Sequence, residues 1–245
     1  MTRHNSNFET LSSSFTSEEL HELRTEFIKN DEFIVIPEFV PRSHIEKFLD
    51  ALEKVRKDVH RSYIPNHKKG GSIPRSILKD RAAIFDKFYL SPEIVDFFSL
   101  LSNKKLLHCP DDDLHACALY LYTETGDHID FHFDKSYYLG QRYTALIGLI
   151  NKSNCLLDYE LFHKNSEKKI IRGSTAIAPG ALVFFNGDKL KHRITPASEG
   201  EERVVLTLEY VTNRNMTPVK RFVSNMKDAI AYFGFRKVFN SRKSD

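Results

Sequence analysis

From Leu106 onward, short apolar or alternating segments recur at close intervals, separated by Gly, Asp, Asn and Pro. Segments of about four to eight residues between such breakers form strands, because a stable helix needs a longer uninterrupted amphipathic run. The expected strands are Ala116 to Tyr122, His128 to Phe133, Tyr143 to Ile150, Leu157 to Phe162, Thr175 to Ile177, Ala181 to Phe185 and Val204 to Val211. The second half of the chain is therefore confined to a β-rich core spanning roughly residues 106–212.

The N-terminal third has a different periodicity. Thr16 and Glu19 have the form of a capping box ahead of Leu20, Leu23 and Phe27, which predicts a first helix ending near Asn30. Phe33-Ile34-Val35-Ile36 reads as a strand closed by Pro37 and Pro41, and Ser43 with Glu46 predicts a second capped helix through Leu49, Leu52 and Val55. Residues 62–75 carry Pro65, Gly70, Gly71 and Pro74, the composition of a loop long enough to cover a pocket. Helical patterns return from Lys79 to Phe88 and after Ser91, where Pro92 occupies the favoured first helical position. A last helix is expected from Thr217-Pro218 through Phe222, Met226, Ile230 and Phe233. The class is α+β.

Of the 245 residues, 41% are hydrophobic and 28% charged, an ordinary globular balance, so one domain over residues 16–245 is expected after a flexible Ser/Thr/Asn-rich tail at 1–15. That tail has no apolar run able to act as a secretory or membrane segment. Cys109, Cys117 and Cys155 form neither a disulfide framework nor a thiolate zinc motif. A cytoplasmic protein without membrane association is the expectation. The net charge is +3, and the short basic runs at His67-Lys68-Lys69 and the C-terminus lack a nucleic-acid motif, so no nucleic-acid partner is expected.

The chemistry is concentrated in Gly126-Asp127-His128-Ile129-Asp130-Phe131-His132-Phe133-Asp134 and, far downstream, Lys191-His192-Arg193. Side chains two apart on a strand share a face, so His132 and Asp134 can reach one ion while Phe133, and Phe131 with it, pack on the other side. His192 follows the turn and apolar strand Pro179 to Phe185 and supplies a third donor. Two imidazoles and one carboxylate are the ligand set of non-haem Fe(II) sites that keep open positions. His128 and Asp130 form a second His-x-Asp pair on the same pleat face, and spacing alone does not choose between the two pairs. Arg203, eleven residues after His192, can grip a carboxylate bidentately; alternation puts Val205, Thr207 and Glu209 on its face.

Between Tyr120 and Tyr210 this set resembles the Fe(II)- and 2-oxoglutarate-dependent oxygenase superfamily, with its His-x-Asp, distal His and downstream Arg. The resemblance implies a double-stranded β-helix (jelly-roll, cupin-like) core with supporting N-terminal helices and a C-terminal helix. It also implies Fe(II), 2-oxoglutarate and O2 as cofactor and cosubstrates. The Gly-Asp stretch leading into Phe131-His132-Phe133-Asp134 matches the family pattern and favours His132 and Asp134 over His128 and Asp130 as ligands, with His192 as the third. Arg203 and Tyr122 fall where prolyl-hydroxylase-like members contact the oxoacid.

Chain size, the Gly-containing loop and the late Tyr232-Phe233-Gly234-Phe235-Arg236 are similar to a branch acting on free amino acids. Halogenating members replace the metal carboxylate with a small residue, and Asp134 is intact, so the resemblance implies hydroxylation of an unactivated C–H bond, with succinate and CO2 as coproducts. The expected partner is a small, amino acid-like substrate. Candidate residues for it are Arg75, as a carboxylate clamp on the loop, and His128, Asp130, Thr207 and Glu209 on the pocket face. The competing functions are a prolyl-type peptidyl hydroxylase, a zinc hydrolase and a non-catalytic β-barrel binding module.

Overall fold

In the computed structural model, residues 15–217 are described, and the tail at 1–14 and the expected helix beyond Thr217 lie outside them. Five helices precede the main β region: α1 (Ser17–Lys29), α2 (Arg42–Val55), α3 (Arg75–Arg81), α4 (Ile84–Tyr89) and α5 (Pro92–Ser102). Among them run β1 (Phe33–Ile36), β2 (His60–Ile64) and β3 (Lys68–Ile73). Then come β4 (Leu107–His108), β5 (Cys117–Tyr122), β6 (His128–His132), β7 (Arg142–Lys152), β8 (Leu157–Leu161), β9 (Ile171–Thr175), β10 (Leu182–Asn186), β11 (Lys191–Ile194) and β12 (Glu202–Val211).

The strands form one antiparallel sheet in the order β1-β10-β7-β12-β5-β3-β6-β11-β8-β9, with β2 added to β3 and β4 to β12. This non-consecutive order is the curled jelly roll of a double-stranded β-helix. Period-two alternation separates its faces. In β10, Leu182 and Phe184 pack toward the helices, whereas Val183 and Phe185 join Tyr122, Leu146, Leu157, Ile194 and Val205 inside the curl. In β12, Val204, Leu206, Leu208 and Tyr210 face the helices.

The helices brace the outer face. Glu19 N–H donates to Thr16 Oγ1 (3.2 Å) and Thr16 N–H to Glu19 Oε2 (2.7 Å), the predicted capping box, and Phe27 at the far end of α1 stacks on Phe184 at 5.3 Å. On α2, Ile45, Phe48, Leu52 and Val55 recur at helical spacing and are buried. Each such side chain contributes about 1.5–3 kcal/mol by leaving water. The Ser43 cap does not form. Pro41 is the N-cap, with its carbonyl accepting from His44 N–H (2.9 Å) and Ile45 N–H (3.1 Å), so the helix already includes Ser43.

Residues 62–75 are not the predicted loop. β2 and β3 pair from His60↔Ser72 to Ile64↔Lys68, and β3 joins β5 and β6, so a hairpin is built into the sheet between those two strands. Among the described residues no helix is long and apolar enough to cross a membrane.

Candidate metal centre

The approach to β6 is fixed by Asp127, which is fully buried. Its Oδ2 accepts the N–H groups of Thr123 (2.9 Å) and Glu124 (3.0 Å), its Oδ1 accepts from Arg61 Nη2 (2.5 Å), and Gly126 takes the φ of +82° that the turn requires. The Gly-Asp stretch is thus a turn device that sets where β6 begins.

β6 pairs with β11 so that His132 lies directly opposite His192, which joins two residues remote in sequence. Asp134 follows the end of β6. It is held by Thr144 Oγ1, which donates to Oδ2 (3.0 Å), and by the β10–β11 turn, where Asp188 Oδ1 accepts from Ser136 N–H (3.0 Å). Gly187 lies so close to Asp134 that a Cβ there would come 2.6 Å from its carbonyl oxygen.

His132 Nε2 is 3.3 Å from Asp134 Oδ1, His192 Nε2 is 3.8 Å from Asp134 Oδ2, and the two imidazole centroids are 4.2 Å apart. His132 Nδ1 is 2.8 Å from the carbonyl of Asp130, and His192 Nδ1 is 3.4 Å from that of Leu190. A carbonyl only accepts, so each Nδ1 carries a proton and each Nε2 faces the carboxylate. Burial, with His132 adding to it, pushes His192 down to about 4. Burial raises Asp134, but His192, His132 and Arg142 together hold it well below the usual carboxylate range. One ligand atom from each of the three side chains lies within 4.8 Å of the others, the spacing of a cation site. The donor set fits a ferrous ion with open positions.

The triad opens on a cavity of about 360 Å³. At one end Arg203 and Tyr122 are cross-strand partners, with the guanidinium 5.0 Å from the ring centroid. Arg203 is only 2% exposed, its Nε donates no hydrogen bond, and no acidic side chain among the described residues pairs with it. Burial lowers its pKa against Tyr122, and burial raises that of Tyr122, so the phenol stays a donor. A buried, unpaired cation is costly unless an anion joins it. The site fits a carboxylate at that point.

Thr207 and Glu209 also line this cavity, on the face that alternation assigned to them. Three other expected substrate residues do not. Arg75 is buried away from it, its Nε donating to Asp86 Oδ1 (2.7 Å) and its guanidinium lying over Tyr89. His128 and Asp130 point off the cavity wall, which takes Ile129 instead. The reason is a bulge: His192 pairs with His132 but Ile194 with Ile129, so β6 has one extra residue and its side-chain phase inverts between the two histidines. For the same reason Phe131 is 39% exposed, with Lys191 and Arg193 over its ring, whereas Phe133 is half-buried beside His163. Arg142, Tyr138 and Asp113 line the cavity without having been singled out in the sequence. Arg142 had a signal, since it is in phase with Thr144 and Leu146 on β7.

No protein-family model matches the chain, and no curated protein matches it. Solved structures share its fold. The non-haem α-ketoglutarate-dependent epimerase SnoN from nogalamycin biosynthesis aligns with a TM-score of 0.65 at 14% identity, over 80% of this chain and 82% of its own. An oxidoreductase of the 2OG-Fe(II) oxygenase family from Burkholderia pseudomallei aligns at 0.63 and 11%, over 83% and 96%. A prolyl hydroxylase from Trichoplax adhaerens, in complex with a hypoxia inducible factor peptide fragment, aligns at 0.59 and 15%, over 87% and 99%. The chain has the double-stranded β-helix fold of these 2-oxoglutarate oxygenases.

Proposed function

We propose that the protein is an Fe(II)- and 2-oxoglutarate-dependent oxygenase that hydroxylates a C–H bond of a small, amino acid-like molecule. The observation that carries this reading is the joint presence, on one cavity, of three converging acceptor side chains and a buried guanidinium that lacks an acidic partner. SnoN has been crystallised with Fe3+ and α-ketoglutarate, so the fold accommodates both groups. A binding module has no need of the triad, and a zinc hydrolase has no need of the isolated arginine.

In this reading His132, Asp134 and His192 would hold the ferrous ion, which when bound supplies dioxygen activation coupled to oxidative decarboxylation of 2-oxoglutarate. Arg203 pairs with the far carboxylate of the cosubstrate, and the Tyr122 hydroxyl donates to the same group. Leu146, Ile194 and Val205 give the cavity an apolar wall that excludes water from the reacting centre. The two histidines keep their Nδ1 protons and donate them in hydrogen bonds to the backbone carbonyls of Asp130 and Leu190, which fixes both rings for ligation.

The cavity volume falls in the small-molecule range of roughly 300–1,000 Å³ and favours a compact substrate over a peptide. Retention of Asp134 favours hydroxylation over halogenation. Fe(II) and 2-oxoglutarate added without oxygen are expected to give a visible metal-to-ligand absorption band, and oxygen is then expected to release succinate. Absence of the band, or turnover that does not need 2-oxoglutarate, overturns the reading.

A further inference from the structure

Opposite Arg203, the cavity ends in a second set of ionised groups. Arg142 and Glu209, both buried, form an ion pair through Arg142 Nη2 and Glu209 Oε2. Asp113 lies beside them, its Oδ2 accepting from the Tyr138 hydroxyl (2.6 Å) and its Oδ1 from His115 N–H (3.0 Å). One oxygen of Asp113 and one of Glu209 lie within 4.8 Å of each other, and the guanidinium beside them is ion-paired with Glu209. Two carboxylates against one guanidinium leave the cluster acid-rich. Asp113, Tyr138, Arg142 and Glu209 all line the cavity that the triad opens on.

We infer that this end of the cavity is the substrate-reading pole and that it takes a positively charged nitrogen, the ammonium of a primary amine, between Asp113 and Glu209. The inference rests on the oxygenase reading above and names the substrate class for that same site. An ammonium nitrogen sits about 2.8 Å from a carboxylate oxygen. Two oxygens within 4.8 Å of each other can therefore share one nitrogen, leaving its third N–H free for another acceptor. A metal ion is the poorer occupant, because the Arg142 guanidinium stands in the same cluster and is ion-paired with Glu209. A purely anionic substrate meets the excess carboxylate. The two poles thus sort the two small molecules: an oxoacid at the lone cation, an amine at the acid-rich end.

The test uses the full chain, first checked anaerobically for the Fe(II) and 2-oxoglutarate band. Calorimetric titrations then compare n-pentylamine with 1-pentanol and L-norleucine with hexanoate, pairs that differ by an ammonium group. The amine of each pair is expected to bind at least tenfold more tightly. Asp113→Asn, which retains an acceptor for Tyr138, is expected to remove most of that preference, and Glu209→Gln serves as a second variant. If the band forms but the paired probes bind equally, or if both variants keep the preference, the inference falls and the oxygenase reading stands. If no band forms, both fall.

Discussion

Two His-x-Asp pairs lie four residues apart along β6 and the residues just after it, and they have opposite fates. His132 and Asp134 meet His192 at the wall of the cavity. His128 and Asp130 have the same side-chain types and a similar internal geometry, with His128 Nε2 3.8 Å from Asp130 Oδ2 and His128 Nδ1 2.7 Å from the carbonyl of Gly126. Yet among the described residues no third donor joins them, and the Asp130 side chain is half exposed. What separates the pairs is the bulge opposite β11 and the anchoring of Asp134 by Thr144 and the β10–β11 turn. A metal site of this kind is made by the strand pairing and the surrounding supports; the ligand residues alone do not make it.

The sharpest way to break this contrast is to remove each carboxylate in turn. Loss of an outer supporting hydrogen bond typically weakens metal binding by about 10–100-fold, and loss of a ligand exceeds that. Asp134→Ala is therefore expected to weaken Fe(II) binding by more than about 100-fold and to abolish succinate release, whereas Asp130→Ala leaves both within about twofold. Equal losses in the two variants would place the ion between the pairs.

Next in size is the cation at the far end of the cavity. Hydrogen bonds to charged groups contribute about 1.5–3 kcal/mol each. Arg203→Met, which keeps the packing beside Tyr122, is expected to weaken 2-oxoglutarate roughly 30- to 100-fold in anaerobic titrations monitored at the visible band. Fe(II) binding without the oxoacid should be unchanged, which separates this pole from the triad.

The third effect concerns protons. His192 is pushed from an ordinary value of 6.5 down to about 4, so the unfolded chain takes up a proton there before the folded one does. Stability from this group is thus complete above about pH 6.5 and is lost as pH falls toward 4. For the metal-free protein, urea unfolding at pH 7 and pH 5 should show His192 contributing about 1–2 kcal/mol to the decline, and His192→Gln should flatten the slope by that amount. A slope unaltered by the substitution would mean that His192 is not desolvated as described.

Much of this was legible before any coordinates. The phase of Val204, Leu206, Leu208 and Tyr210 against Arg203, Val205, Thr207 and Glu209 separates core from cavity along β12, because alternation is enforced wherever both faces are covered. The β2–β3 hairpin was not legible: Gly70, Gly71 and Lys68-Lys69 carry little strand preference, and their partners on β5 and β6 lie far along the chain. The position of Arg75 was lost for a similar reason, since Asp86 and Tyr89 meet it only once α3 and α4 pack. The bulge in β6 is the most instructive case. One extra residue, set by pairing with β11, moved His128 and Asp130 off a face to which strict period-two counting had assigned them.

The smallest expected effect tests the supports of the favoured pair. Thr144 Oγ1 donates to the same Asp134 oxygen that faces His192, so it aligns the carboxylate without touching the ion. Thr144→Val keeps the shape of the side chain and deletes the donor, and should weaken Fe(II) binding about tenfold, the lower end of the range for supporting hydrogen bonds. Gly187→Ala acts on the backbone, since its Cβ would come 2.8 Å from Asp134 Cβ and shift the ligand bodily. The two variants together distinguish orientation from position: a larger loss at Gly187 than at Thr144 means that the β10–β11 turn, more than the hydroxyl, is what makes Asp134 a ligand while Asp130 is not.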